Sequence, residues 1–120
     1  MYNMKSVIFL DLDGSIFKQK ATLSEVINEP IELLPGVSER FNFWNWNGDQ
    51  IILTTGRKES TRALTEKQLR DNGLYWDILI MGLNTLGPRI LINNLKSNSD
   101  EPTAIAINLK ENEGLINVTV

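Results

Sequence analysis

One stretch near the start of the chain constrains the fold more than any other. It passes from four apolar residues into two carboxylates, a glycine and a hydroxyl, in the order Val7-Ile8-Phe9-Leu10-Asp11-Leu12-Asp13-Gly14-Ser15. A short run that is apolar on both faces and rich in β-branched and aromatic residues is typical of a buried central strand of a parallel sheet. Because open α/β sheets bind ligands outside the carboxyl ends of their strands, we expect the carboxylates to lie at a functional edge.

The two carboxylates of this stretch point the same way, since side chains alternate with period two along an extended chain. Asp11 and Asp13 therefore repel each other unless a cation lies between them or one is protonated. A Mg²⁺ site needs this arrangement, and so does a nucleophile paired with an acid/base. The alternative is a strand followed by an ordinary Asp-Gly turn, with both acids solvated.

Composition excludes several classes of function. The chain has 120 residues, enough for one packed domain spanning residues 1–120, and its net charge of −3 comes with no basic run, which argues against a nucleic-acid surface. It has no cysteine and no histidine, which excludes disulfides, thiol chemistry, Ser-His-Asp catalysis and the usual zinc sites. No apolar segment is long enough for a signal or a membrane span, so we expect a cytoplasmic protein without membrane partners.

The apolar pattern predicts alternating strands and helices, which is typical of an α/β fold with a doubly wound parallel sheet. After the first strand we expect a short helical turn or loose hairpin at 22–29, helices at 37–47 and 59–72, and strands at 50–53, 76–81 and 89–92. Residues 103–107 could be a fifth strand or a short helix, and 115–120 a β tail or a frayed end.

The helix predicted at 37–47 has two apolar faces. Val37, Phe41 and Trp44 have the spacing of a core stripe. Phe43 and Trp46 form a second pair, either buried or an exposed patch that binds a partner or a second copy of the chain.

Right-handed crossovers would bring the ends of the first, second and fourth strands to one edge of the sheet. The residues gathered there combine acids, hydroxyls, amides and a guanidinium, and are Asp11, Asp13, Thr54, Thr55, Arg57, Asn93 and Asn94. Such a set predicts an anion site with a nucleophile.

Two of these segments, in this order and about forty residues apart, resemble motifs of the haloacid dehalogenase superfamily. Asp11-Leu12-Asp13-Gly14-Ser15 is similar to its DxDGT or DxDGS motif, and Thr54-Thr55-Gly56-Arg57 to its second motif. The resemblance implies a Rossmann-like, three-layer α/β/α core. It implies that Asp11 is the nucleophile, that Asp13 is the general acid and base, and that Thr55, with Thr54 as runner-up, holds a phosphoryl oxygen. Mg²⁺ would lie on the Asp11 carboxylate and the Asp13 carbonyl.

The chain departs from that pattern in ways that affect the expected chemistry. The segments around 15–35 and 81–90 are too short for a cap domain, so the site would be open to water, which favours a large substrate or a neighbouring subunit as lid. Asn93 and Asn94 stand where one or two Asp usually complete the Mg²⁺ shell, and Asp100 or Glu101 could replace them. Leu83 stands where a Lys is expected, leaving the cations Arg57, Arg89 and Lys96 as substitutes.

Two functions follow from the sequence as hypotheses. The first is a Mg²⁺-dependent phosphatase acting on a small phosphorylated substrate similar to a phosphosugar, because residues 81–93 also resemble small capless proteins linked to surface polysaccharide synthesis. The second is a phosphate-binding or interaction protein with little turnover, because Asn93 and Asn94 lack charge. A receiver domain fits Gly14-Ser15 poorly, and the chain contains no GxGxxG or GxxxxGK[ST] motif for a nucleotide.

Overall fold

The computed structural model describes residues 5–120 and contains one three-stranded parallel sheet. The strands are β1 (Val7–Asp11), β2 (Gln50–Thr54) and β3 (Ile78–Ile80), in the spatial order β1-β2-β3. Phe9 pairs with Ile52, which pairs with Ile78 in the same register. The three predicted strands are therefore confirmed, β3 being shorter than expected.

Three α-helices accompany the sheet: α1 (Leu23–Asn28), α2 (Val37–Asn47) and α3 (Arg62–Asp71), the last preceded by a 3-10 turn at Glu59–Thr61. The start of α1 is capped by the Thr22 hydroxyl, which accepts the Glu25 backbone N–H at 3.2 Å. The end of α2 is set by Gly48, whose φ of 83° is the left-handed conformation that glycine adopts without steric cost.

The core lies on one face of the sheet. Leu10, Leu53 and Leu79 stand in one register row and are buried, as are the α2 residues Val37, Phe41 and Trp44. The core stripe predicted for α2 is thus confirmed. Both crossovers, through α2 and through α3, run in the same direction along the sheet, so the right-handed rule places both helices on this face.

The opposite face of the sheet has no helix over it among the described residues. Val7, Phe9, Ile78 and Ile80 are exposed there, and Ile52 between them is partly buried; we call these five residues the bare face. Phe9 is 53% exposed, and within residues 5–120 β1 pairs only with β2. The prediction of a buried central strand is therefore wrong. The described residues confirm an α/β fold with a parallel sheet, while the three-layer, doubly wound core stays a prediction.

Residues 90–108 form an extended arm instead of sheet strands. The strand predicted at 89–92 and the strand or short helix predicted at 103–107 are both wrong, because neither range contains a strand or a helix. The side chains of Asn93 and Thr103 instead bond the arm to itself: Asn93 Nδ2 donates to the Thr103 carbonyl at 3.2 Å, and Thr103 Oγ1 donates to the Asn94 carbonyl at 2.7 Å. The longest dimension of the molecule is 52 Å.

The last residues are neither a strand nor frayed. Leu115 and Val118 are buried in the core, and the Trp44 indole Nε1–H donates to the Val120 carbonyl at 2.7 Å. Trp46, by contrast, is 82% exposed, with the Phe43 ring 6.2 Å away centroid to centroid. Whether this pair binds a partner stays a prediction. None of the helices described within residues 5–120 is long and apolar enough to cross a membrane.

Candidate functional site

A cleft of about 350 Å³ lies at the carboxyl ends of β1 and β2. Six of the residues singled out from the sequence line it, together with two that were not, and all eight are Asp11, Asp13, Gln19, Thr55, Gly56, Arg57, Thr85 and Arg89. The cleft is mainly polar, and its lining residues carry two carboxylates, two hydroxyls, one amide and two guanidinium groups. This is the place in the fold where an α/β sheet usually binds a ligand.

Asp11 is the last residue of β1, and its side chain is half-exposed in the cleft. One carboxylate oxygen, Oδ1, lies 3.5 Å from Arg89 Nη2. Burial raises the pKa of Asp11 above its ordinary value of 3.8, against the hydrogen bond from the Leu12 backbone N–H and the charge of Arg89, while the nearby Asp13 carboxylate raises it further. The site therefore favours the neutral form of Asp11 more than water does.

Asp13 is held by Arg57 in a two-point ion pair. Arg57 Nε and Nη2 each donate to a different Asp13 oxygen at 2.8 Å, and the Asp13 and Arg57 side chains are only 16% and 7% exposed. A bidentate pair of this geometry fixes both side chains. Both Asp13 oxygens are therefore hydrogen-bond acceptors in this arrangement, and neither is placed to donate a proton.

The Arg57 guanidinium is further bound from the side of α3. Its Nη1 donates to the Thr65 hydroxyl at 3.1 Å and to Gln68 Oε1 at 2.6 Å, and Gln68 in turn donates to the Val26 carbonyl at 3.1 Å. The guanidinium also lies 5.8 Å from the Phe17 ring centroid. The guanidinium thus makes four hydrogen bonds within the protein. Arg57 acts in this structure as a cation that joins the segment after β1 to α3 and, through Gln68, to α1.

Thr55 and Gly56 form the floor of the cleft after β2. The Thr55 backbone N–H donates to the Ile80 carbonyl at 2.9 Å, and its hydroxyl accepts the Arg57 backbone N–H at 3.1 Å. A Cβ on Gly56 would lie 2.2 Å from the Thr85 Cγ2 atom, so only glycine fits against the loop that follows β3. Leu83 lies in that loop and bonds Thr55 through its backbone, which leaves no Lys at this point.

Three of the predicted site residues lie elsewhere. Thr54 is buried, and its hydroxyl lies 3.5 Å from the Leu10 carbonyl, outside the cleft lining. Asn93 and Asn94 are in the arm, and their side-chain amides donate to the carbonyls of Thr103 and Leu95. They depart from the predicted edge because the strand expected to bring them there does not form.

Gln19 and Thr85 line the cleft without having been singled out. Gln19 is held through its backbone N–H, which donates to Asn112 Oδ1 at 2.8 Å, and the Asn112 N–H donates to the Gly14 carbonyl. Both residues belong to irregular segments, where no periodicity could have marked them. The one sequence signal close to Gln19 is Gly14, which turns the chain with a φ of 91°. A Cβ on Gly14 would lie 3.5 Å from Gln19 Oε1.

Arg89 is the cation in the cleft whose guanidinium N–H groups are less fully bound by protein partners than those of Arg57. Its side chain is 43% exposed, and its 3.5 Å approach to Asp11 is an ion pair of the solvent-exposed type, which holds weakly. An incoming anion can therefore compete for Arg89 far more easily than for Arg57. Lys96, the other substitute considered from the sequence, lies in the arm, outside the cleft lining.

The cleft offers few of the oxygen ligands that a bound Mg²⁺ needs. Within residues 5–120 no three acidic or other metal-binding side chains converge. Asp100 and Glu101 are exposed in the arm and are not among the cleft residues. Mg²⁺ commonly binds through one or two carboxylates, several waters and a substrate phosphate. Asp11 offers one such carboxylate, so the cleft suits a metal that arrives with, or is held by, a phosphate.

Comparison with known proteins identifies similar folds but no family. No family model and no curated protein matches the chain. Among solved structures, one titled as the Pnkp1/Rnl/Hen1 complex has a TM-score of 0.58 at 21% identity, with 72% of this chain and 31% of that chain covered. A second, titled as the Pnkp1/Rnl/Hen1 RNA repair complex, has a TM-score of 0.57 at 23% identity, covering 71% and 28%.

A structural-genomics target from Vibrio cholerae is also similar, with a TM-score of 0.52 at 17% identity over 76% of this chain and 80% of that chain. The chain spans about a third of the length of the two complex components it matches. Identities this low establish a shared α/β fold alone.

Proposed function

We propose that this chain is a phosphoric monoester hydrolase that uses Asp11 as its nucleophile and takes Mg²⁺ as cofactor. The observation that carries the proposal is the position of the Asp11 carboxylate, half-exposed at the end of a parallel strand and facing a polar cleft with Arg89 beside it. The motifs around Asp11 and Thr55 support the same assignment by resemblance. When bound, Mg²⁺ would supply positive charge against the phosphoryl oxygens.

The chain's own residues divide the work as follows. Arg89 would leave Asp11 and bind an oxygen of the phosphate, and the Thr55 side of the cleft would hold another. An Asp11 oxygen would then attack phosphorus, forming an acyl-phosphate bond as the ester P–O bond breaks, and water would later release phosphate and restore Asp11. The leaving oxygen needs a proton, and Asp13 can supply one only if Arg57 releases one of its carboxylate oxygens.

A second candidate function is phosphate binding without efficient turnover. The two-point Asp13–Arg57 pair favours it, because it occupies the residue that would serve as general acid. The position of Asn93 and Asn94 in the arm favours it as well, because a second-shell loss alone can cost a metal site about 10–100-fold. Under this reading Arg89 and Asp11 still form an anion site, but the bound ester is not cleaved.

The experiment that tests the proposal is Mg²⁺-dependent phosphate release. Wild type and Asp11→Asn would be compared on p-nitrophenyl phosphate, on a panel of phosphosugars and on a phosphorylated oligonucleotide, which is included because one structure of similar fold is described as an RNA repair complex. Glu101→Gln removes an exposed acid outside the cleft and is the matched control. The proposal predicts release by wild type and Glu101→Gln that Asp11→Asn loses.

Two results would redirect the assignment. Release that survives in Asp11→Asn would show that another group is the nucleophile. No release on any substrate, combined with measurable phosphate binding that Arg89→Ala abolishes, would favour the binding function instead. A preference for the oligonucleotide over the sugars would overturn the expectation of a small phosphosugar-like substrate and of no nucleic-acid partner.

A further inference from the structure

The bare face and the arm are two apolar surfaces that are exposed among residues 5–120 of a single chain. On the bare face, Val7 and Phe9 of β1 and Ile78 and Ile80 of β3 are between 39% and 53% exposed. In the arm, six apolar side chains are between 49% and 87% exposed: Ile90, Leu91, Ile92, Leu95, Ile105 and Ile107. Contiguous apolar surface of this kind usually marks an interaction site.

The arm has the pattern of a strand that needs a partner. Ile105 and Ile107 alternate with small residues, which is the period of a half-buried strand, and residues 90–92 are apolar on both sides. Within residues 5–120, the hydrogen bonds of residues 90–108 stay inside the arm. The local sequence therefore favours an extended conformation, while the apolar side chains of the arm stay exposed to solvent in the described part of the chain.

The ends of the arm are fixed beside the cleft. Arg89, just before the arm, lies 3.5 Å from Asp11, and Asn112, just after it, donates to the Gly14 carbonyl at 2.8 Å. The arm therefore leaves and rejoins the body near the carboxyl end of β1, and almost all of the residues between these anchors are exposed.

We infer that the occupant of the bare face is the arm of a second copy of this chain. Each copy offers one arm and one bare face, so two copies satisfy both surfaces of each other in a closed, twofold arrangement, whereas a different protein would leave one of them exposed. The ten exposed side chains amount to roughly 1,000 Å² per chain, against about 800 Å² per partner in a standard interface.

The exchange also affects the cleft. Asp11 projects from the same face of β1 as Val7 and Phe9, because side chains alternate along the strand. An arm lying on the bare face therefore borders Asp11. It would exclude water from the cleft, over which residues 5–120 place no cap domain. This surface does not depend on the proposed phosphatase function, because it rests on apolar exposure and is measured without substrate.

The test is the oligomeric state of the full chain by sedimentation velocity over a range of concentrations. The arm variant Ile92→Glu/Ile105→Glu and the face variant Phe9→Lys/Ile78→Lys place opposite charges in the inferred contact, and Leu23→Glu/Ile116→Glu places two charges on exposed positions outside it. We expect wild type and the control pair to dimerise. The arm and face variants should associate at least about 100-fold more weakly, since each buries an unpaired charge.

Mixing the variants identifies which surfaces meet. In a mixed dimer, one contact joins the intact arm of the face variant to the intact face of the arm variant, and the other sets the new glutamates against the new lysines. An equimolar mixture should therefore regain dimers that neither variant forms alone. A wild type that stays monomeric at about 100 μM overturns the inference. So does an arm variant that still dimerises, or a mixture that stays monomeric although each variant has the far-UV circular dichroism of the wild type. Loss of dimers in Trp46→Ala alone would assign the interface to the Phe43 and Trp46 pair instead.

Discussion

Removing the Arg57 guanidinium is the perturbation whose cost the structure defines best. In Arg57→Ala, both oxygens of Asp13 lose their donors, and the Thr65 hydroxyl and the Gln68 amide oxygen each lose one. The Asp13 side chain is 16% exposed, so water can replace only part of what the carboxylate loses. Breaking a buried ion pair by deleting one partner costs about 3–5 kcal/mol, and we expect a loss of about 3 kcal/mol here because Asp13 keeps some solvent contact.

Urea unfolding at neutral pH, followed by tryptophan fluorescence, measures this cost. Lys67→Ala breaks a pair on α3 with Asp71 whose two side chains are 66% and 59% exposed, and it should change the free energy of unfolding by less than about 1 kcal/mol. Asp13→Asn and the double variant Asp13→Asn/Arg57→Ala complete a mutant cycle. The cycle should give a coupling of about 2 kcal/mol or more.

A loss in Arg57→Ala no larger than in Lys67→Ala would refute the view that this guanidinium is a buried structural cation. It would then be free to bind phosphate, as the sequence motif implies. A coupling near zero would show that Asp13 and Arg57 act independently in spite of their geometry.

Three further predictions concern the cleft and the core. Gly56→Ala should lower the free energy of unfolding by about 1–3 kcal/mol, because its Cβ would lie 2.2 Å from Thr85 Cγ2. Adding Thr85→Ala should recover most of that loss, and no recovery would mean that the backbone, not the Thr85 side chain, opposes the new Cβ. Trp44→Phe should cost about 2–3 kcal/mol, through the lost bond to the Val120 carbonyl and the cavity left by the smaller ring, and an unchanged stability in urea would show that neither the bond nor the packing of this ring holds in solution. Burial raises the pKa of Asp11, so in metal-free buffer Asp11→Asn should stabilise the fold at neutral pH.

The sign of the Asp11 effect follows from the direction of its pKa. A carboxyl with a raised pKa in the folded state binds its proton more tightly there than in the unfolded chain, so its favourable contribution is complete below the ordinary value of 3.8 and is lost as pH rises through the folded value. The advantage of Asp11→Asn should accordingly vanish toward low pH and open as pH rises. An advantage that is the same at every pH would contradict this assignment.

The parts of the fold that the sequence predicts well are those defined by local pattern. Helix α2 was predicted with its observed ends because a Pro-Gly turn, a 3.6-residue stripe and a glycine stop all agree. Strands β1 and β2 were located because an apolar run precedes each polar cluster, four residues long in β1 and three in β2. Residues 90–92 have the same apolar character, yet form no strand in this chain. A short apolar run indicates that a segment could form a strand, but not whether a partner strand is present.

The candidate site, like the fold, could be predicted only in part from the sequence. Asp11, Asp13, Thr55, Gly56 and Arg57 do meet in one cleft, because the order of the strands brings the ends of β1 and β2 together. Arg89 also lines the cleft, but from the irregular segment that follows β3. What the motif could not reveal is that Arg57 is bound by Asp13, Thr65 and Gln68, contacts that depend on where α3 packs against the sheet. Asn93 and Asn94 were misplaced because their position followed from a strand that is not formed.

The measurement that tests the central claim most directly is the intact mass of the protein after acid quenching during reaction with p-nitrophenyl phosphate and Mg²⁺. A nucleophilic Asp11 predicts a covalent phosphoryl adduct on the peptide that contains Asp11, absent in Asp11→Asn. It should accumulate in Asp13→Asn, where the group that activates water for its hydrolysis is missing. Phosphate release without any such adduct, or an adduct that persists in Asp11→Asn, would contradict the account.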